Sequence, residues 1–282
     1  MANLKIIKKS KTLVREIQKY KLKKKKIGFV PTLGALHKGH LELIRLAKKE
    51  SDIVVVSIFL NPLQFNSKSD FKKYPTNLVT DKKKINKEKV NILYIPSIND
   101  VFPSKKTKRV KVSSKTSKLC GKFRKGHFNG VVTVLKSLFD QVSPNLAFFG
   151  EKDFQQILII KDLISKYNFK IRIITIPTIR DSNGLAFSSR NNLLNKKQKK
   201  IASFLFKTIK EISLQAKKNL YKLNNLELMG KKKLINYGFN KIDYLEIYNE
   251  NNLSKRNIKK NNLRVFVAAS LGKTRLIDNY KS

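Results

Sequence analysis

The sequence predicts an α/β fold: a Rossmann-like, doubly wound parallel sheet followed by a smaller α+β C-terminal domain. Two observations carry this. Short, β-branched apolar runs alternate with amphipathic stretches through the first two thirds of the 282 residues, as in parallel strands covered by helices on both faces. After Pro177 the alternation stops, and helical stretches precede late strands. The expected division is 1–177 for the sheet domain and 178–282 for a lid-like domain, hinged at Ile176–Ile179.

Ile27–Val30 is the first strand, leading through a glycine-bearing turn into a helix over Leu41–Lys49. Ile53–Phe59, Val90–Ile95, Leu146–Phe149 and Ile171–Ile176 read as the remaining strands. Asp70–Asn86, Asn129–Gln141 and Phe154–Tyr167 repeat apolar residues at helical spacing. Beyond the hinge, a long helix begins near Asn195 and another covers Asn224–Tyr237, before strands at Tyr244–Tyr248 and Leu263–Ala268. Ligands of such sheets bind beyond the carboxyl ends of the strands. Three segments share that end: the turn after Val30, Asn61-Pro62 and Gly150-Glu151-Lys152-Asp153.

The formal charge of +43 raises nucleic acid as a partner. Its make-up argues otherwise. Ten arginines leave 52 of the 62 basic residues as lysine, dispersed among Asn and Ile rather than interleaved with aromatics. AT-rich codon usage accounts for that mixture, so no specific nucleic-acid partner is expected, only weak, salt-sensitive polyanion binding. Cys120 is the single cysteine, which excludes an intrachain disulfide and fits a reducing, cytoplasmic setting. Lys23–Lys26 followed by an apolar run imitates a signal peptide but starts too deep and contains Pro31. Apolar stretches such as Ile53–Leu60 are too short to span a membrane, and no membrane partner is expected.

Residues 31–40 read Pro-Thr-Leu-Gly-Ala-Leu-His-Lys-Gly-His. A strand running through glycines into a helix start is a phosphate seat, because the first N–H groups of a helix are unpaired and its dipole is positive there. His37 and His40, three apart, face the same way. With His127 they could instead form a three-histidine zinc site, although His-Glu-x-x-His and cysteine clusters are absent. The fingerprints Gly-x-Gly-x-x-Gly and Gly-x-x-x-x-Gly-Lys-Ser/Thr are absent too, which excludes the dinucleotide and P-loop classes.

Four further segments complete the constellation. They are Asn61 to Phe65, Arg124 to Gly130, Gly150 to Gln156 and Ser188-Ser189-Arg190-Asn191. Together with Leu36 to His40, in this order, they resemble the pantothenate synthetase family of ATP-dependent ligases, and the resemblance extends from Gly28 to Leu271–Asn279. The histidine pair by itself would also resemble other nucleotidyltransferases.

The resemblance implies that pantoate attacks the α-phosphorus of ATP to give pantoyl adenylate, from which β-alanine displaces AMP. It implies ATP contacts from Leu33, Gly34, Ala35, Leu36, His37, Lys38, Gly39 and His40. Gly150, Glu151, Lys152, Asp153, Ile179, Phe187, Ser188, Ser189 and Arg190 would complete that nucleotide site. His40 is the expected catalytic residue, supported by His37 and Lys152. Gln64 and Gln156 would bind pantoate, with Gln64 bordering β-alanine. A magnesium ion on the phosphates, with Asp81 as its candidate ligand, and a homodimer are also implied.

Adenylyl transfer asks for positioning and charge neutralisation, which histidine donors with Lys152 and Arg190 meet. The chain departs from the family pattern at Leu33 (usually Met), Asn183 (Asp), Lys125 (Pro) and Thr76 (often Arg), none of which removes a proposed contact. Two rivals remain: a nucleotidyltransferase activating another acid, and a nucleic-acid-binding protein.

Overall fold

The structure, a computed structural model, describes residues 4–103, 110 and 113–281. Six strands, β1 (Lys5–Ile7), β2 (Ile27–Thr32), β3 (Ile53–Ile58), β4 (Ile92–Tyr94), β5 (Leu146–Gly150) and β6 (Arg172–Ile176), form one parallel sheet in the order β1-β4-β3-β2-β5-β6. Helices α1 (Ser10–Leu22), α2 (Lys38–Glu50), α3 (Lys68–Lys72), α4 (Leu78–Lys87), α5 (Ile98–Val101), α6 (Cys120–Phe123), α7 (His127–Val142) and α8 (Phe154–Lys166) connect them.

Alternate strand residues enter different cores, so both faces are apolar. Phe29, Val55, Ile92, Tyr94 and Ala147 pack with Leu13 of α1, Leu135 of α7 and Ile159 of α8. Val30, Val54, Val56, Leu93 and Phe148 pack with Ile44 of α2 and Ile85 of α4.

The strand order reverses between β2 and β5. These two pair only at Gly28↔Leu146 and Phe29↔Ala147, whereas β2 pairs with β3 as far as Thr32↔Ile58. Their carboxyl ends therefore splay apart, and a crevice opens at the topological switch point.

The C-terminal part holds α9 (Lys196–Ala202), α10 (Phe204–Lys218) and α11 (Leu223–Asn236). An antiparallel sheet follows, of β7 (Lys241–Asn249), β8 (Leu263–Leu271) and β9 (Thr274–Tyr280). Its strands alternate by period two. Leu245, Ile247, Val265 and Val267 face Ile209, Ile212 and Leu234, while Tyr244, Tyr248, Phe266 and Ala268 join the core of the large sheet. The small sheet is thus covered on one side by its own helices and on the other by the N-terminal part.

Several elements differ from the sequence expectation. The single helix over Asp70–Asn86 is two, α3 and α4, because Pro75 interrupts the backbone ladder and Asn77 Oδ1 starts α4 by accepting from Thr80 N. The helix near Asn195 begins there as expected, with a capping box to Gln198, but it breaks at Ser203 between α9 and α10. Strands β1 and β9 and helix α1 were not anticipated. β1 is only three residues long, and the two buried side chains of α1, Leu13 and Ile17, lie among lysines.

Candidate active site

A cavity of about 290 Å³ occupies the splayed ends of β2 and β5. Leu33, His37, Gly39, His40, Gln64, Gly150, Lys152, Asp153, Gln156, Ile179, Phe187, Ser188, Ser189 and Arg190 all line it. Ala35, Leu36, Lys38 and Asp81 line an adjoining cleft that shares His37, Phe187, Ser188 and Ser189. Gly34 and Glu151 line neither. Segments far apart in sequence therefore converge as expected.

The turn after β2 is shaped by Asp81. Its buried carboxylate accepts from the N–H groups of Ala35 and Leu36, both at 2.8 Å. Gly34 (φ +89°) and Ala35 (φ +51°) are both left-handed, a bend that few residues adopt without strain. Asp81, the metal candidate of the sequence, thus has its two oxygens committed to the backbone. Among the described residues no group of three His, Cys, Asp or Glu could hold a metal ion.

His37 caps α2 and His40 occupies its first turn; their rings stack with centroids 3.9 Å apart. His40 Nδ1 accepts from the backbone N–H of His37 at 3.3 Å. In the neutral ring this places the proton on Nε2, which becomes the donor. Loss of water on burial pushes the His40 pKa down to about 4 despite the opposing effect of Asp153. Burial, then the neighbouring His40 and Lys152, push His37 down to about 2. Gly39 serves these rings, since a Cβ there would lie 3.1 Å from the His37 ring.

Across the cavity, Pro62–Gln64 form a 3-10 turn against α7. Gly130 permits the approach: a Cβ would come within 2.2 Å of Leu63 O. Buried Asn61 donates to Gly130 O and to Gln64 Oε1, both at 3.1 Å. The Gln64 amide is thereby oriented with its oxygen toward Asn61 and its Nε2 free to donate. His127 Nδ1 lies 2.7 Å from Gln64 O, so it carries the proton, and Nε2 accepts from Arg124 Nη1 at 3.1 Å. Burial, with Arg124 beside it, lowers the His127 pKa to about 3. His127 is therefore a neutral strut, and its bonds to Arg124 and Gln64 O account for both ring nitrogens without a metal.

On the C-terminal side, Lys152 Nζ lies 3.8 Å from Asp153. Arg190 is held by Asp70 at 2.9 and 3.1 Å, and Ser189 Oγ donates to the Tyr74 hydroxyl at 2.9 Å. Phe187 faces His37 and lies beneath Lys38 Nζ, 5.6 Å from its ring centre.

Sequence reasoning missed several residues. Buried Gln155 accepts from Cys120 N and donates to the carbonyls of Lys115 and Lys118, which fixes the approach to α6. Asn279 ties β9 to the turn at 151–153. Asp70 and Tyr74 meet the Arg190 loop. The Tyr74-Pro75 and Asp278-Asn279 pairs were visible, but not what they touch.

A doubly wound sheet with neutral histidines, a lysine and an arginine gathered at its switch point defines an enzyme of the nucleotide-binding α/β class. A family profile described as pantoate-beta-alanine ligase matches residues 5–281. A pantothenate synthetase of Buchnera aphidicola subsp. Acyrthosiphon pisum is 45% identical over 98% of both chains. That of Thermodesulfovibrio yellowstonii is 43% identical over 95% of this chain and 96% of its own. The crystal structure of pantothenate synthetase from Thermus thermophilus superposes with a TM-score of 0.90 at 32% identity, covering 98% of this chain and 99% of that one. Pantoate-beta-alanine ligase from Francisella tularensis, complexed with beta-gamma ATP and beta-alanine, gives 0.83 at 36%, covering 99% and 97%. The chain belongs to the pantoate-beta-alanine ligase family.

Proposed function

We propose that this chain joins (R)-pantoate to β-alanine using ATP, through a pantoyl-adenylate intermediate. A pantoate carboxylate oxygen attacks the α-phosphorus and pyrophosphate leaves. The β-alanine nitrogen then attacks the acyl carbon, the C–O bond to AMP breaks, and the amine loses a proton. The observation that carries this reading is the convergence of His37, His40, Gln64, Lys152, Gln156 and Arg190 on one cavity.

His40 Nε2–H would donate to the α-phosphate, and a donor whose orientation is already fixed needs no reorganisation as charge builds up. His37 would assist it. Lys152 and Arg190 would neutralise the departing pyrophosphate, with Ser188 and Ser189 beside them. The turns at 33–40 and 150–153, with Ile179 and Phe187, would surround the nucleotide. Gln64 and Gln156 would hold pantoate, and Gln64 would border β-alanine. Magnesium would arrive on the ATP phosphates and offset their charge. Asp81, each of whose oxygens accepts an N–H of the turn, would hold the turn in this reading rather than the metal.

A homodimer in the cytoplasm is the expected setting. Among the described residues no helix is long and apolar enough to cross a membrane. The test is pantoate-dependent ATP–pyrophosphate exchange without amine, followed by β-alanine-dependent AMP release. Equal exchange with unrelated carboxylic acids, or none with pantoate in folded protein, would refute the reading.

A further inference from the structure

One end of the cavity is more cationic than the triphosphate chemistry requires. Arg275 of β9 and Arg124, the residue that ends α6, both line it, with Cys120 and Tyr244 between them. The partners of Arg275 are unequal. Its Nε donates to Asp243 at 2.7 Å. Among the described residues, Nη1 and Nη2, the forked edge suited to a carboxylate, meet the Cys120 sulfur, 3.7 Å from each, and the neighbouring Tyr244 phenol.

The strand is built to hold this arrangement. The β7–β8 register shifts between Ile242 and Tyr244, so Asp243 is the extra residue of a bulge, and Asp243 and Tyr244 both reach Arg275. Tyr244 and Cys120 are buried, and the phenol lies 3.0 Å from the sulfur.

Charge points the same way. Arg124, Arg190 and Arg275 share two carboxylates: Asp70 lies 2.9 Å from Arg190 and 3.8 Å from Arg124, and Asp243 is paired with Arg275. His127 is neutral. Asp243 also lies 3.6 Å from Lys241, so the cations outnumber their counter-charges, an excess that a substrate carboxylate complements. Burial and the neighbouring Arg190 and Arg275 lower the Arg124 pKa to about 10, as expected where cations crowd without enough counter-charge.

We propose that the Nη1/Nη2 edge of Arg275, assisted by Arg124, seats the carboxylate of the amine substrate, so that the opposite end of β-alanine lies toward the activated acyl group. The proposal rests on the ligase reading above. The seat selects a primary amine that carries a carboxylate over an amine of similar length without one. His127 acts as a positioning residue for Arg124, accepting its Nη1–H.

Arg275→Gln and Arg275→Lys test the seat, because glutamine removes the charge and lysine keeps the charge but not the fork. Removing a charge-assisted contact of this kind raises the KM for β-alanine by about 10- to 100-fold. The preference for β-alanine over β-alaninamide should shrink similarly, while pantoate-dependent ATP–pyrophosphate exchange, which involves no amine, retains its rate. Unchanged β-alanine KM with exchange intact overturns the proposal. So does equal loss of exchange and amine transfer in both variants, which would make Arg275 structural. Absence of exchange in the unaltered chain would refute the ligase reading itself.

Discussion

The Asn279 side-chain amide donates to the carbonyls of Glu151 and Lys152, at 2.8 and 2.9 Å. One residue near the C-terminus thus clamps the turn that presents Lys152 to the cavity. Arg264 Nη1 donates to Asn279 Oδ1 at 2.6 Å, which fixes the way the amide points. Asp278, the preceding residue, is held by Arg180 at 2.6 and 2.9 Å.

Asn279→Ala should therefore slow pantoate-dependent exchange and raise the ATP KM, by about 10-fold, as half-buried carbonyls lose their donor. Asn279→Asp should be worse, because it sets a carboxylate against two carbonyl oxygens. Steady-state kinetics of both variants, beside their thermal midpoints, is the check. An aspartate variant as active as wild type would show that the clamp does not set the position of Lys152.

The histidines should not titrate in the ordinary range. The chain has three, His37, His40 and His127, with pKa values pushed to about 2, 4 and 3. Ring resonances of ¹³C-labelled histidine in the free protein should stay flat from pH 8 to 5. A residue titrating near 6.5 would contradict the neutral, Nε2-protonated state assigned to His40.

Stability should fall on acidification for the same reason. Between pH 6.5 and about 3 the unfolded chain binds a proton at residue 127 that the folded chain refuses. Each pH unit within that window then costs about 1.4 kcal/mol. Urea midpoints from pH 7 to 5 should decline, and His127→Gln should flatten the slope while lowering stability at pH 7, where no proton is at stake. An identical slope in the variant would assign the acid sensitivity to other groups.

Much of this was legible in the sequence, because strong local patterns and the outcome agreed. The β-branched runs at Ile53–Phe59 and Leu146–Phe149 have no polar face to hide, so only a sheet covered on both sides accommodates them. The strand–glycine–histidine order at 27–40 likewise fixes which end of the sheet carries the site. What stayed hidden was mostly long-range pairing. Asp81 lies 46 residues from Ala35 and Asn279 lies 127 from Lys152, and no local spacing announces either bond. Asp81 reads as a metal ligand because a carboxylate near a phosphate turn has that chemistry; its bonds to the Ala35 and Leu36 amides are a second role that no local spacing announces. Pro75 was visible as a helix breaker, yet the apolar periodicity of 70–86 outweighed it.

Asp81 gives a prediction that separates the two roles. Asp81→Asn keeps the shape but offers one acceptor oxygen where two amides need one each, so the turn at 33–36 should loosen. The cost should be about 1.5–3 kcal/mol of stability, as for other hydrogen bonds to charged groups. The magnesium concentration giving half-maximal exchange should stay unchanged. A variant of normal stability that needs much more magnesium would restore the metal-ligand role.

The last prediction concerns the Asp70–Arg190 pair, which couples the loop of Ser188 and Ser189 to the segment just before Tyr74. With Asp70 at 2.9 and 3.1 Å, Nη2 of the Arg190 guanidinium is engaged, and Tyr74 lies 5.9 Å from the group. A triphosphate and Asp70 are anions that draw on the same guanidinium, so the pair is expected to compete with ATP. Arg190→Ala should raise the ATP KM and slow adenylation, because the charge facing the phosphates is lost. Asp70→Asn should act in the opposite sense on binding, lowering the ATP dissociation constant several-fold by freeing the guanidinium. Calorimetric titration of both variants with ATP and magnesium distinguishes them. Hydrogen exchange across residues 180–195 should show protection on adding nucleotide, because the loop exchanges one anionic partner for another that holds it more firmly. If Asp70→Asn weakened ATP instead, Asp70 would be orienting Arg190 toward the phosphates rather than competing for it.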